Sequence, residues 1–251
     1  MMRILIFLVC SLSAGPALSQ SSATMIFAHN DYEKSIPFFN AYSQEADFIE
    51  ADIFLHEGKL LVAHTQSEIN SDRTLDSLYL KPLQQKIHIN KGSAYPDINR
   101  PLHLMIDLKS KGVPTLTKLV TELKAYPELI QCKSLFVTIS GNVPDTASWK
   151  IFPEFIHFDG RPGIEYAPGQ LKRIRLISTS FSKHSSWNGK GTLPSSDRIK
   201  IQKLIEEVHK KKKPIRFWGA PDVENAWFKL RDLGVDVINT DRVAELRDLL
   251  R

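Results

Sequence analysis

Short apolar runs of strand type alternate with helical stretches along nearly the whole chain, and this alternation restricts the fold more than any other feature. Met25–Asn30, Asp47–Phe54 continued by Lys59–His64, Leu102–Leu108, Leu135–Ser140, Phe155–Asp159, Ile174–Phe181, Ile215–Gly219 and Val235–Thr240 read as eight strands. Asp47–His64 counts once, as an element bent at Glu57-Gly58. Helical stretches lie between them: Ile36–Gln44 with Pro37 in its first turn, Pro114–Tyr126, Pro144–Ile151, a weak one around Leu171, Ser195–Lys212, Asp222–Leu233 and Val243–Leu250. Leu75–Leu83 reads as a short helical excursion and residues 84–100 as loop. Such alternation implies right-handed βα units and a parallel sheet. Eight units in 251 residues fit a single (β/α)8 barrel better than an open doubly wound sheet. In such a barrel the chemistry sits at the C-terminal ends of the strands.

Composition narrows the class further. With 42% hydrophobic and 24% charged residues the chain is globular rather than disordered. Its 33 basic and 28 acidic residues are interspersed, which argues against a nucleic-acid partner. Met1-Met2-Arg3, the apolar run Ile4–Ala14 and Ala17-Leu18-Ser19 have the order of a secretory signal peptide over residues 1–19, cleaved before Gln20. The expectation is therefore a secreted or periplasmic protein whose single domain spans residues 20–251. Removing the leader takes Cys10 and leaves Cys132 alone, so no internal disulfide forms and no zinc-thiolate site is available.

Polar residues collect at the strand ends. Glu50 and Asp52, two apart on one strand, point to the same face, while Ile49, Ala51 and Ile53 point away. Two neighbouring carboxylates repel, and each is expected to hold its proton more tightly than usual. A divalent cation resolves that conflict. Asp107 supplies a third carboxylate, making an all-oxygen site suited to Mg2+ or Ca2+. His29 and His64, each behind an apolar strand segment, then suit an acid/base pair for phosphodiester hydrolysis. Lys109, two beyond Asp107, is placed to hold a phosphoryl oxygen.

His29, Glu50-x-Asp52, His64 after an extended hairpin, and Asp107-x-Lys109 together resemble the glycerophosphodiester phosphodiesterase superfamily, phospholipase C-like enzymes on a TIM barrel. The stretch RFWGAPDVENAWFKLRDLGVDVINTD resembles that family's closing strand–helix–strand. The resemblance implies His29 and His64 as general acid and base, and Glu50, Asp52 and Asp107 as ligands of one divalent cation. It implies Lys109 and Trp218 near the substrate, with Asn30 a further substrate-contact candidate. It also shows departures: His29-Asn30-Asp31 replaces the usual His-Arg-Gly, and Asp107 stands where Glu is common.

The function expected is a metal-dependent hydrolase of glycerophosphodiester-like substrates. The partner is a small phosphodiester or lipid head group, with at most transient membrane-surface contact and no obligate protein partner. Two rivals stand beside it. One is a phospholipase C- or D-like enzyme acting on intact lipids, and the other is a non-catalytic barrel that binds phosphorylated ligands. Asp159 and Arg161 fit a simple turn as well as a functional role, and His103 and His157 read as structural.

Overall fold

A computed structural model describes residues 24–251; the leader expected over residues 1–19 lies outside them. Eight parallel strands close into a barrel: β1 (Met25–Ala28), β2 (Phe48–His56), β4 (Leu102–Leu108), β5 (Leu135–Gly141), β6 (Ile156–Gly160), β7 (Ile174–Ser180), β8 (Ile215–Trp218) and β9 (Val237–Thr240), with β9 pairing back onto β1. β3 (Lys59–Val62) runs antiparallel to β2 and stays outside the closure. The bent element of the sequence is thus a β-hairpin. Its two-residue turn has positive φ at both Glu57 and Gly58, 47° and 75°, the geometry whose twist matches the flanking strands.

Helices follow the strands on the outside: α1 (Phe39–Ser43), α2 (Lys81–Ile89), α3 (Gly112–Leu123), α4 (Pro127–Gln131), α5 (Pro168–Arg173), α6 (Ser195–Lys210), α7 (Glu224–Asp232) and α8 (Val243–Leu250). Three local expectations shift. Residues 84–100 are not all loop, because buried Leu83 and Ile87, four apart, carry an apolar face through α2. The helix expected from Ile36 begins only at Phe39, because Phe38 is held at φ 66° with its N–H donated to Asp31 Oδ2. The segment Pro144–Ile151 condenses only into a 3-10 turn at Ser148–Ile151.

Side-chain alternation sorts the strands into two environments. Ile49, Ala51 and Ile53 of β2, with Leu104, Ile106 and Leu108 of β4, face the helices and are buried. Phe27, Phe48, Met105, Leu176 and Val237 fill the lower barrel interior as a separate apolar cluster. Each such burial stabilises by roughly 1.5–3 kcal/mol. His103 stacks in this floor, its ring 4.2 Å from Phe48 and 5.0 Å from Phe136, and His157 meets Phe136 edge-on at 5.5 Å. Above this floor the inward positions turn polar toward the mouth, with Glu50, Asp52 and Asp107 on β2 and β4.

Candidate active site

Strand register brings the carboxylates together. Asp52 on β2 lies directly beside Asp107 on β4, and Asp107 beside Ser140 on β5. Glu50 sits one inward position below Asp52. Glu50, Asp52 and Asp107 each bring an oxygen to within 4.8 Å of the others. Glu50 and Asp52 are only 6% and 2% exposed.

Burial pushes Glu50 up to about 7; His29 opposes the rise and Asp52 adds to it. Asp52 is also raised, by burial and then by the charge of Asp107. Asp52 Oδ1 is buried without a hydrogen-bond partner. Three convergent carboxylates, one of which carries an unsatisfied oxygen, could hold a divalent metal. Lys109 Nζ is the cation these groups share, 2.9 Å from Asp52 Oδ2 and 3.1 Å from Asp107 Oδ1.

The histidines flank this cluster. His29 follows β1 directly, its N–H donated to Thr240 O at 3.0 Å, so the β1–β9 ladder continues one residue past the strand. Its Nδ1 lies 2.8 Å from Asp241 Oδ1 and its Nε2 3.8 Å from Glu50 Oε2. Burial works against the charged ring, but the Asp241 hydrogen bond and the charges of Glu50 and Asp241 outweigh it, so His29 is raised above its ordinary value. The partner Asp241 is lowered by the same hydrogen bond.

The hairpin returns the chain to the mouth. Ala63 N–H donates to Asp52 O at 3.2 Å, which sets His64 beside that carboxylate. His64 Nδ1 lies 3.0 Å from Asp52 Oδ2 and 2.9 Å from the Tyr32 hydroxyl. That hydroxyl also lies 2.7 Å from Asp52 Oδ2 and 2.8 Å from Asn30 Oδ1. A phenol has one proton to donate, so an Nδ1–H on His64 is needed to complete the set. Both imidazoles are therefore anchored through Nδ1 with Nε2 left for chemistry.

Asn30 adopts a left-handed conformation, φ 49°, and its N–H donates to Glu50 Oε2 at 3.1 Å. Its side chain meets Tyr32, so its contacts here hold the site together. Trp218, in register with Ser180, stands 42% exposed at the rim. The structure thus gathers His29, Asn30, Glu50, Asp52, His64, Asp107 and Lys109 in one connected group, with Trp218 at its edge. A cavity of about 860 Å3 lies elsewhere, on the outer wall, lined by Gln84, His88, Glu128 and Cys132 among others.

Sequence reasoning assigned no role to Tyr32, Asp241 or Arg216. Tyr32 has no signal beyond its closeness to His29. Asp241 is a carboxylate just past the last strand. Arg216 is a charged residue at an inward position of Ile215-Arg216-Phe217-Trp218, a pattern visible once that strand is assigned.

Residues 18–130 match the model of the AIM6-like phosphodiesterase domain. The fold is that of a glycerophosphodiester phosphodiesterase from Parabacteroides distasonis, with TM-score 0.56 and 16% identity over 90% of this chain and 96% of that one. It is likewise that of a glycerophosphodiester phosphodiesterase from Agrobacterium tumefaciens, with TM-score 0.50 and 16% identity over 90% and 99% of the two chains. The matched segment is just under half of the chain, and the barrel fold is shared with these two phosphodiesterases over most of it. Among curated proteins it is 24% identical to altered inheritance of mitochondria protein 6 of Eremothecium gossypii, over 87% of this chain and 67% of the relative. The homologue of that protein in Arthroderma benhamiae is 25% identical over 87% and 81%.

These relatives overturn the expected secreted or periplasmic location. They are fungal proteins named for the inheritance of mitochondria, and they supply no support for a secretory signal peptide. One arginine before a short apolar run is too little to define a secretory leader by itself.

Proposed function

We propose that the chain is a divalent-metal-dependent phosphodiesterase acting on small glycerophosphodiester-like substrates. The observation that carries this reading is the pairing of two Nδ1-anchored histidines with a buried three-carboxylate cluster at the barrel mouth. Glu50, Asp52 and Asp107 would hold the cation, Mg2+ or Ca2+ by the preference of hard oxygen donors. When bound, it would supply charge stabilisation at a phosphoryl oxygen.

The chain's own groups supply the rest. Asp241 keeps the His29 ring oriented and favours its charged form, and Asp52 with Tyr32 does the orienting for His64. One Nε2 removes a proton from the attacking hydroxyl and the other delivers a proton to the leaving alkoxide. The attacking hydroxyl belongs to water or to the substrate itself. Trp218 offers the substrate an exposed aromatic face at the rim.

The test is hydrolysis of bis(p-nitrophenyl) phosphate and glycerophosphocholine by the purified chain, in EDTA and then with Mg2+ or Ca2+ added back. Metal-restored cleavage that is lost in both His29→Ala and His64→Ala is the expected result. Turnover that survives either substitution would sink the two-histidine mechanism. Cleavage confined to phospholipid vesicles would move the substrate to intact lipids. Failure on all three substrates with either metal would leave a barrel that only binds phosphorylated ligands.

A further inference from the structure

The far end of the barrel, where the strands begin, holds a cation without a counter-ion. Arg175 is the second residue of β7, and its guanidinium lies 3.7 Å from the ring centroid of Phe136, the second residue of β5. Its Nε is buried with no partner, and the guanidinium makes no hydrogen bond or ion pair among the described residues.

The charged groups of this end do not answer it. Arg175 acts on His103, His157 and Lys213, and it lowers all three. The Lys213 ammonium is donated to Ile174 O at 2.7 Å. Among the acids, Asp236 Oδ2 takes the His209 ring and the Ile215 N–H, both at 2.8 Å. Asp47 Oδ2 takes the Ile26 N–H at 2.8 Å and its Oδ1 faces Arg100 at 3.4 Å, while Asp97 Oδ1 takes the Asn99 N–H at 2.9 Å. Glu154 raises Arg173, whereas Arg175 is lowered by burial with no carboxylate to offset it.

Arg175 and Phe136 line a cavity of about 680 Å3 together with Lys91, Lys133, Asn99 and Gln131. Its lining includes three cations and no carboxylate. That volume lies in the range of small-ligand pockets. A guanidinium drawn out of water stays charged and keeps its need for acceptors. Stacking on Phe136 covers one face of the guanidinium plane and leaves its edge for a ligand. A planar donor fork suits phosphoryl oxygens, and three positive charges favour a dianion over a single carboxylate.

We propose that this cavity is an anion site that takes a phosphate monoester dianion on Arg175, with Lys91 and Lys133 beside it. It sits at the opposite end of the barrel from the carboxylate cluster, so it is a second site and does not depend on the phosphodiesterase reading. A small phosphomonoester and a phosphatidic acid headgroup present the same chemistry.

The test titrates inorganic phosphate into the full chain in EDTA and follows backbone amide shifts. Gly92, Ser93 and Ser134 report this cavity, and Asn30 and Gly141 report the mouth. Cavity amides should shift saturably. Arg175→Gln should weaken that response about tenfold or more, the worth of one charge-assisted hydrogen bond. The exposed pair Lys91→Gln with Lys133→Gln should also weaken it severalfold, and the control Lys200→Gln should not. Shifts confined to the mouth amides, or wild-type affinity in Arg175→Gln, would overturn the site. Where Arg175→Gln fails to fold, the double lysine variant decides, and wild-type affinity there overturns the site as well.

Sedimentation with vesicles of phosphatidic acid and phosphatidylcholine in equal parts, against phosphatidylcholine alone, separates the sources. Binding that needs phosphatidic acid and is lost in the same variants assigns the site to a lipid headgroup. Phosphate shifts without vesicle binding assign it to a soluble phosphomonoester. A chain that responds to neither probe has no such site.

Discussion

Gly141 is the position where a single methyl group should couple fold stability to the acidic cluster. It ends β5 with φ +70° and pairs with Leu108 of β4. A Cβ there would collide with Asp107 Oδ1 and come within 2.7 Å of Leu108 O and 2.8 Å of Leu108 N. Two costs follow for Gly141→Ala. The left-handed backbone costs an L-residue about 1–2 kcal/mol. The two backbone contacts cannot rotate away, so β4 and β5 must part, at an overpacking cost of roughly 1–3 kcal/mol. A loss of about 3 kcal/mol lowers Tm by roughly 6–12 °C in a domain of this size. Because Asp107 must also move, affinity for Mg2+ should fall about 10–100-fold, the range for disturbing a ligand's support. Thermal melting and calorimetric Mg2+ titration read the two effects separately. A variant that melts within about 2 °C of wild type and binds Mg2+ as tightly would refute the steric argument.

Three further outcomes follow from the same geometry. Saturating Mg2+ or Ca2+ at about 100 times Kd should stabilise the wild type by about 2.7 kcal/mol. Glu50→Gln and Asp52→Asn should lose that shift yet melt no lower than wild type in EDTA at pH 8, since each removes a charge held in a costly place; a marked drop would contradict the repulsion. Burial, and next the charge of Arg175, lowers His157 to about 4, and His103 lies well below its ordinary value. The unfolded chain therefore binds protons more readily below pH 6.5, so stability is full above that value and is lost as pH falls from about 6.5 toward 4. His157→Gln should flatten the decline in chemical-denaturation midpoints over that window, and an unaltered slope would dismiss the assignment. Asp241→Asn keeps the size of its side chain but weakens the anchor on His29; kcat should fall at least about tenfold with KM little changed, and equal kcat would show that the contact is idle.

The strands, the hairpin and the inward direction of Glu50, Asp52 and Asp107 were legible in the sequence because each depends on period-two alternation within a few residues. His64 was legible for a related reason, since the Glu57-Gly58 turn fixes the hairpin that returns it to Asp52. The short form of α1 was not legible, because it depends on Asp31 capturing the Phe38 N–H across a loop that has no periodicity. The extent of α2 depends on Leu83 and Ile87 finding a buried surface.

The sequence by itself determined that the chain would form a parallel barrel and that three carboxylates and two histidines would meet at one end of it. Those properties follow from residue type and spacing within single βα units. Tertiary structure alone decided which groups tune them. His29 meets Asp241 across 212 residues only because β9 closes onto β1. Asp159 stands between Arg161 and Arg216 only because β6 and β8 face a common interior. Closure brings together side chains whose separation along the chain carries no local signal, and the charge balance of the mouth is set at that step.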